Sequence, residues 1–496
     1  MRKILVANRG EIALRVMRSI KEMGISTVAV YSEADRTAPF VRFADEAYLL
    51  GPPPSSQSYL LADKIIEAAL KAGADAIHPG YGFLSENASF AEKVERAGLI
   101  FIGPSPAAIE MMGNKLSAKA AAHEYNVPML PGTKDPVNDI NEAKKIAGGI
   151  GFPVLIKAAA GGGGKGMRVV NNIEEFEEQM ARATGEALSS FGDGSVFLEK
   201  YVAAPKHIEI QVLCDKHDNY LYLFERECSI QRRHQKVVEE APSAALTQEI
   251  RKRMGESAVL IAKACKYTGA GTVEFLMDEQ RNFYFLEMNT RLQVEHPVTE
   301  KITGIDLVKE QVKIARGEKL SFTQDNLNIH GHAIELRICA EDPMNNFLPE
   351  TGTLTTYRTP DGPGVRVDSG YEEGMEIPVY YDPMIAKLVV HADNREEAMK
   401  KMIRAIDDFH IEGIATTLGF GKFVMQHEAF RSGNFDTQFV GKYFTPDKLY
   451  QHNDMEELAA ILTVATILKE AKNKQTETEN TAAENGSGWR ERREKR

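Results

Sequence analysis

In FYFLEMNTRLQVEHP, residues 283–297, Glu287, Asn289, Arg291, Gln293 and Glu295 take every second position, while Leu286, Met288, Leu292 and Val294 stand around them. Successive side chains of an extended segment point to opposite faces, so the five polar groups share one side. Upstream, GTVEFLMDEQRNFYFLEMN reads as two strands about a polar turn near Gln280. That pairing sets Glu274 opposite Glu287, with Asn289 projecting from the same face. Two facing carboxylates repel unless a cation lies between them, and oxygen-only ligands with room for phosphates describe a magnesium site. A solvated sheet face is the alternative, weakened because both glutamates lie in apolar runs. A fully extended strand from Glu287 to Glu295 would cover about 26 Å. The chain must therefore curl, with Pro297 marking its end. Arg291, Gln293 and Glu295 would then line a pocket for a small anion beside the metal, with Glu295 as a general base.

Three other stretches carry chemistry. GGGGKGM, residues 161–167, lies between two strand-like segments, and its glycines let backbone N–H groups approach phosphate oxygens. It is not a Walker A loop, since no Ser or Thr follows the lysine and a strand follows rather than a helix. Alone it reads equally as a flexible hairpin turn. Lys157, ending the apolar strand PVLIKA, needs an anion, and the two features together favour a phosphate clamp. Lys115 is a second candidate, although a lone surface lysine is the plainer reading of it. ERECSIQRRHQKVVEEAP gathers Arg226, Gln231, Arg232, Arg233, His234 and Lys236. This is either a positive focus for an anion or a solvent-facing ion-pair ladder with Glu225, Glu227, Glu239 and Glu240. HAIELRICAED places Arg337 in an alternating strand, where a buried-side arginine takes an acidic or oxyanion partner.

The elements that must position these groups follow from the patterning of the 496 residues. KILVAN, then RGEIALRVMRSIKEMG ending at Gly24, then STVAVYS, is a strand–helix–strand opening, the grammar of a parallel sheet. ADAIHPGYGFLSEN and LIFIGPSPAAIEMMGNK repeat it, so residues 1–113 read as a doubly wound layer whose ligands lie beyond the strand ends, near His78, Gly80, Tyr81 and Gly82. From about residue 203 strands dominate. With 43% hydrophobic and 26% charged residues, the composition is that of a globular protein of several domains. A net charge of −11 argues against nucleic acid as the main partner. Four scattered cysteines carry no zinc spacing and fit a reducing compartment. No apolar run is long enough to span a membrane, and the start is unlike a signal peptide, so the expectation is a cytoplasmic protein without a membrane partner.

ANRGEIALR, HPGYGFLSEN, GGGGKGMRVV, ERECSIQRRHQKVVEEAP and EMNTRLQVEHPVTE, taken together and in this order, resemble biotin carboxylase, an ATP-grasp enzyme, over residues 1–445. The resemblance implies an α/β fold, α+β in its central part. It has an N-terminal doubly wound parallel sheet (1–113), a connecting helix (114–128), an ATP-grasp lid (129–202), a central domain (203–330), a C-terminal mixed-sheet domain (331–445) and a tail (446–496). It implies ATP, two Mg²⁺ or Mn²⁺ ions, bicarbonate as substrate and biotin as carrier-bound substrate. Lys115, Lys157, Gly162, Gly163, Gly164, Met167, Glu199, Lys200, Val202, His207, Gln231, His234, Leu276, Glu274 and Glu287 match nucleotide positions. Glu274, Glu287 and Asn289 match the metal positions, and Lys236, Arg291, Gln293, Val294 and Glu295 the bicarbonate site. Tyr81, Gly82, Gln293 and Arg337 would border biotin. Glu295, Arg337, Arg291 and Lys236 carry the catalytic roles: Glu295 takes the bicarbonate proton, carboxyphosphate forms and decomposes, and Arg337 stabilises the biotin enolate.

The implied partners are a biotin carboxyl carrier protein and carboxyltransferase subunits, with a homodimer as the assembly. The carboxyltransferase would select acetyl-CoA, propionyl-CoA or pyruvate as the final acceptor. Two departures from the family pattern stand out: Lys165 where arginine is frequent, and Cys339 where asparagine is. AMKKM (398–402) resembles a biotin attachment motif but lies in a helical pattern, so it reads as a surface helix. In the tail, Leu458, Ile461, Leu462, Ala465 and Leu468 have helical spacing, and the polar end beyond them reads as disordered. The rival readings are another ATP-grasp ligase and a non-catalytic assembly subunit. The first lacks the conjunction of EMNTRLQVEHPVTE with HPGYGFLSEN, and the second would not need a full set of catalytic residues.

Overall fold

The computed structural model describes residues 1–133, 135–158, 167–191, 194–449, 459 and 461–469. The N-terminal strands Lys3–Val6, Ser26–Ser32, Glu46–Gly51, Ala76–His78 and Ile100–Phe101 are all paired in parallel. Lys3–Val6 lies at the centre, with Ser26–Ser32 then Glu46–Gly51 on one side and Ala76–His78 then Ile100–Phe101 on the other. The order of strands reverses between Lys3–Val6 and Ala76–His78, which opens a crevice beyond their carboxyl ends. Asn8 closes its floor, donating through Nδ2 to the carbonyls of Pro79 and Tyr81, both at 2.7 Å. Helix Gly10–Glu22 starts there because Gly10 takes φ +65°, and its face of Ile12, Ala13, Val16, Met17 and Ile20 is buried in the core.

Residues 135–200 hold a separate three-stranded antiparallel sheet, Met167–Val170, Val154–Ala158 and Val196–Lys200, with helices Ile140–Ile150 and Phe176–Phe191. Val154, Ile156, Val170, Phe176, Val196 and Leu198 form its own small core. Gly162, Gly163, Gly164 and Lys165 lie outside the described residues.

The largest element is an eight-stranded antiparallel sheet. Its spatial order is Phe283–Asn289, Gly269–Met277, Lys206–Cys214, Tyr220–Arg232, Gln235–Ala241, His332–Cys339, Met384–Ala392 and Val365–Ser369. Strands from both sides of residue 330 are neighbours in it, so the C-terminal segment extends the central sheet. The helix Arg395–Asp407 buries Ala398, Met399 and Met402, while Lys400 pairs with Glu396 at 2.7 Å on the exposed side; AMKKM is part of a surface helix, as expected.

The first compact unit, Met1–Phe444, is locked at Gly370, where a Cβ would come within 2.6 Å of the Glu11 backbone nitrogen. Gly370→Ala is therefore expected to cost about 1–3 kcal/mol through overpacking, read as a lowered midpoint in thermal unfolding. In the second unit, Thr445–Arg496, residues 461–469 are helical and expose Ile461, Leu462 and Leu468. Leu458 and the polar end lie outside the described residues. Among the described residues no helix is long and apolar enough to cross a membrane.

Candidate active site

The strand pair behaves as the alternation requires. Glu274 pairs with Glu287 and Thr272 with Asn289, with a bulge between Glu274 and Phe275. Asn289 Nδ2 donates to Glu274 Oε1 at 2.9 Å, and His207 Nε2 lies 2.9 Å from Glu274 Oε2. Burial and the facing Glu274 push the Glu287 carboxyl up. Lys115, opening the helix Lys115–Glu124, is among the charges that offset this. Two carboxylates and an amide oxygen are a hard oxygen donor set, which fits Mg²⁺ or Mn²⁺.

The strand ends at Asn289, and residues 290–294 curl as their length demands. Pro297 does not end this segment. It is the second residue of helix His296–Thr303, where a missing N–H leaves no hydrogen bond unmade. Glu295 caps that helix and is 2% exposed. Lys236 Nζ donates to Glu295 Oε1 at 2.7 Å, and Arg337 Nη2 donates to Glu295 Oε2 at 2.9 Å. Burial alone would raise this carboxyl, yet Lys236, Arg337 and Arg226 hold it well below the usual carboxylate range. The result is a carboxylate held ionised between two cations.

Lys236 is itself shared, reaching Glu209 at 2.5 Å and Glu274 at 3.0 Å. It thereby joins the metal pair to the base. Arg337 is anchored from behind by Glu239 Oε1, 2.6 Å from its Nε and 2.5 Å from its Nη2. Gln293 points inward, donating to Glu274 Oε1 at 2.9 Å and accepting from Arg226 at 3.2 Å. Arg291 turns instead toward the N-terminal layer, its Nε 2.9 Å from Glu86 Oε2, with Nη2 3.1 Å from Asn289. The Val294 carbonyl accepts from the buried Lys387 at 2.8 Å.

In the stretch around Arg226 the ladder reading fails, and Arg226 itself takes no part in an anion focus. Glu225, Glu227, Glu239 and Glu240 are buried, so they form no solvent-facing ladder. Arg226 is also buried and bonded to Glu209, Gln211, Thr272, Thr299 and Gln293, which leaves it no free donor face for an added anion. Long strands buried on both faces convert surface-looking charges into internal pairs. Gln231 donates to the Cys228 carbonyl at 2.8 Å, while Arg233 and His234 form the exposed turn at positive φ.

The anion partner of Lys157 is Glu199, whose carboxylate also binds Lys119. Burial opposes it, but Lys157 and Lys119 hold Glu199 below its ordinary value. Lys200 directs its ammonium to the carbonyls of Gly151 and Phe152, at 2.8 and 2.9 Å, and Val202 lies two residues on. Met167 is exposed at the strand start, and Leu276 is half-buried. At the crevice, Tyr81 donates its hydroxyl to Glu11 and Gly82 takes φ +67°. Cys339 donates its N–H to Thr417 Oγ1 at 3.0 Å, and that hydroxyl bonds the Arg337 carbonyl at 2.7 Å, so Cys339 supports the arginine through its backbone.

Sequence reading passed over Glu209, Glu335, Lys387, Glu11, Glu86 and Lys119, and it considered Glu239 only as part of a surface ladder, whereas Glu239 is buried. His207, Glu209 and Gln211 alternate in HIEIQVLCD just as 287–295 do, and a lone lysine in MIAKLVVHA marks Lys387.

Sequence profiles match in chain order: "Biotin carboxylase, N-terminal domain" over residues 1–109, "Carbamoyl-phosphate synthase L chain, ATP binding domain" over 114–323, and "Biotin carboxylase C-terminal domain" over 335–442. A pyruvate carboxylase subunit of Methanothermobacter thermautotrophicus is 55% identical over 441 residues, covering 89% of this chain and 90% of its own. Biotin carboxylase 1 of Bacillus subtilis is 51% identical over 443 residues, covering 89% and 98%. Among solved structures, the biotin carboxylase domain dimer of Hydrogenobacter thermophilus 2-oxoglutarate carboxylase, with MgADP, ADP and bicarbonate, is similar at TM-score 0.84 and 48% identity, covering 91% of this chain and 99% of that one. The biotin carboxylase–β-γ-ATP complex from Campylobacter jejuni gives TM-score 0.84 and 47% identity, covering 89% and 99%.

Proposed function

We propose that this chain, which belongs to the biotin carboxylase family, uses ATP and bicarbonate to carboxylate biotin carried on a separate protein. This is the first half-reaction of a multisubunit carboxylase. The observation that carries the reading is Glu295, an ionised carboxylate between Lys236 and Arg337 in a site that faces a paired-carboxylate metal position.

Glu295 accepts the bicarbonate proton while Lys236, Arg291 and Gln293 orient the anion, with the Val294 backbone beside it. The oxyanion so formed attacks the γ-phosphate of ATP and displaces ADP, and the resulting carboxyphosphate decomposes to carbon dioxide and phosphate. Phosphate takes the biotin N–H proton, and the ureido nitrogen adds to carbon dioxide to form the new N–C bond. Arg337 stabilises the enolate of the ureido group, with Tyr81 and Gly82 beside the ring. Lys115, Lys157, His207, Gln231 and His234 bind the nucleotide, and Glu199, Lys200, Val202, Met167 and Leu276 follow the adenine edge, with Gly162, Gly163 and Gly164 over the phosphates. Glu274, Glu287 and Asn289 would hold a divalent ion, which would supply charge neutralisation to the triphosphate.

The carrier and carboxyltransferase are separate chains, the assembly is a homodimer, and the compartment is the cytoplasm. The final acceptor, whether acetyl-CoA, propionyl-CoA or pyruvate, is chosen by the carboxyltransferase. ATP hydrolysis measured with magnesium and bicarbonate, with and without free biotin, tests the reading. Strong stimulation by biotin, lost without bicarbonate, is expected; biotin-independent turnover would point to another ATP-grasp ligase.

A further inference from the structure

Lys387 stands in the large sheet beside Arg337, and the catalytic scheme gives it no part. The two are directly opposite on the neighbouring antiparallel strands His332–Cys339 and Met384–Ala392, and Asp368 of the edge strand Val365–Ser369 is opposite Lys387 in turn. Opposed residues project from one sheet face, so Arg337, Lys387 and Asp368 form a row. Lys387 is 0% exposed. A buried ammonium needs acceptors and a counter-charge, and its surroundings supply both. Nζ donates to the Val294 carbonyl at 2.8 Å, and it lies 3.3 Å from Glu11 Oε2 and 3.8 Å from Asp368 Oδ2.

Each contact leads to a different part of the site. Val294 stands between Gln293 and Glu295, in a turn closed by the His296 N–H on the Gln293 carbonyl at 3.3 Å. A peptide unit is planar, so fixing the Val294 oxygen fixes the unit that joins Val294 to Glu295 and the direction in which Glu295 departs. Glu11 leads to the crevice. It lies in helix Gly10–Glu22, and its Oε1 accepts the Tyr81 hydroxyl. Its Oε2 accepts no hydrogen bond among the described residues and faces the Lys387 ammonium instead. Asp368 depends least on Lys387, since Arg366 donates to both its oxygens at 3.0 and 2.7 Å. One ammonium thus meets a backbone carbonyl between Gln293 and Glu295 and a carboxylate that holds Tyr81.

We propose that Lys387 is a positioning residue for both substrates. It fixes the turn that carries Gln293 and Glu295 toward bicarbonate, and through Glu11 it holds Tyr81 at the biotin border. It touches neither substrate and moves no proton. A cation present only to neutralise Glu11 would leave the Val294 contact without effect. The inference rests on the biotin carboxylation reading above.

Kinetics of the full chain separate these two roles. Glu11→Leu removes the Tyr81 acceptor but leaves the ammonium on Val294, with Asp368 as counter-ion. It should raise the KM for free biotin about threefold or more and leave the KM for bicarbonate within about twofold of wild type. Glu11→Leu combined with Lys387→Met replaces the whole ion pair by apolar side chains, an exchange that is often neutral for stability, so the thermal midpoint should stay near that of Glu11→Leu. This double variant should lower kcat/KM for bicarbonate about tenfold to a hundredfold, the scale on which a small misplacement of reacting groups acts, with the KM for ATP unchanged. Equal kcat/KM for bicarbonate in the single and double variants would overturn the positioning role. So would an unchanged biotin KM in Glu11→Leu, or a parallel loss of ATP affinity in the double variant.

The second measurement needs no turnover. Amide hydrogen exchange across residues 291–298, followed by mass spectrometry, should be about tenfold or more faster in the double variant than in Glu11→Leu, because the turn has lost its anchor. Equal exchange would overturn the pinned turn whatever the kinetics. A wild type that never carboxylates biotin would sink the function proposed above, and the exchange difference would still decide whether Lys387 holds the turn.

Discussion

Glu295→Gln is expected to lower the bicarbonate-dependent rate by about 10²–10⁴, the usual contribution of a positioned general base. ATP binding should remain within about twofold of wild type. The reason lies in what the substitution leaves behind. Lys236 keeps Glu209 and Glu274, and Arg337 keeps Glu239, so neither cation is stranded. Gln can accept from only one of the two through its single carbonyl oxygen, but both cations keep carboxylate partners, so the fold should lose little. What disappears is the one carboxylate held ionised by Lys236 and Arg337 against its burial. Rate should be followed as phosphate release with saturating biotin, and nucleotide affinity by direct titration. A variant with wild-type turnover would remove Glu295 from the base role, whereas parallel loss of nucleotide binding would make it a structural residue.

Local periodicity made the core of the site legible. The pairing of Glu274 with Glu287 followed from two apolar strands and a polar turn, and the bulge after Glu274 shifts the register only on the Phe275 side. The curl after Asn289 followed from chain length alone. Four of the five parallel strands of the first layer were readable as apolar runs; Glu46–Gly51, a half-exposed edge strand, was not.

Tertiary burial was not legible in the same way. Arg226 and its acidic neighbours look like a surface ladder because charge is the only local signal they carry. Their position in the interior of an eight-stranded sheet is set by partners as distant as Thr299. Glu335 shows the limit most sharply. Its alternation with Arg337 is visible, but its opposition to Glu239 depends on a pairing between strands about ninety residues apart in sequence, which only long-range sheet assembly fixes.

Arg337→Ala should separate binding from chemistry in the opposite direction from Glu295→Gln. Removing a fixed cation beside a developing oxyanion is expected to lower biotin carboxylation about 10²–10³-fold, while ATP affinity changes little, because no nucleotide position lies on Arg337. The substitution also strips Glu239 of its hydrogen-bonded side-chain partner. Breaking a buried pair costs about 3–5 kcal/mol when the orphan must stay charged. Glu239 has a milder course, since its carboxyl already sits at about 7 and loss of Arg337 pushes it higher still. An acid raised above its unfolded value of about 4.3 costs stability that grows as pH rises from that value to the folded one. The variant should therefore be nearly as stable as wild type at pH 6 and clearly less stable at pH 8.5, measured as the difference in thermal midpoint. A pH-independent difference would mean that Glu239 finds another cation. Comparable losses of carboxylation and ATP binding would contradict the enolate role, and a deficit in carboxylation that persists at pH 6, where the fold is intact, assigns that loss to the missing guanidinium rather than to a damaged scaffold.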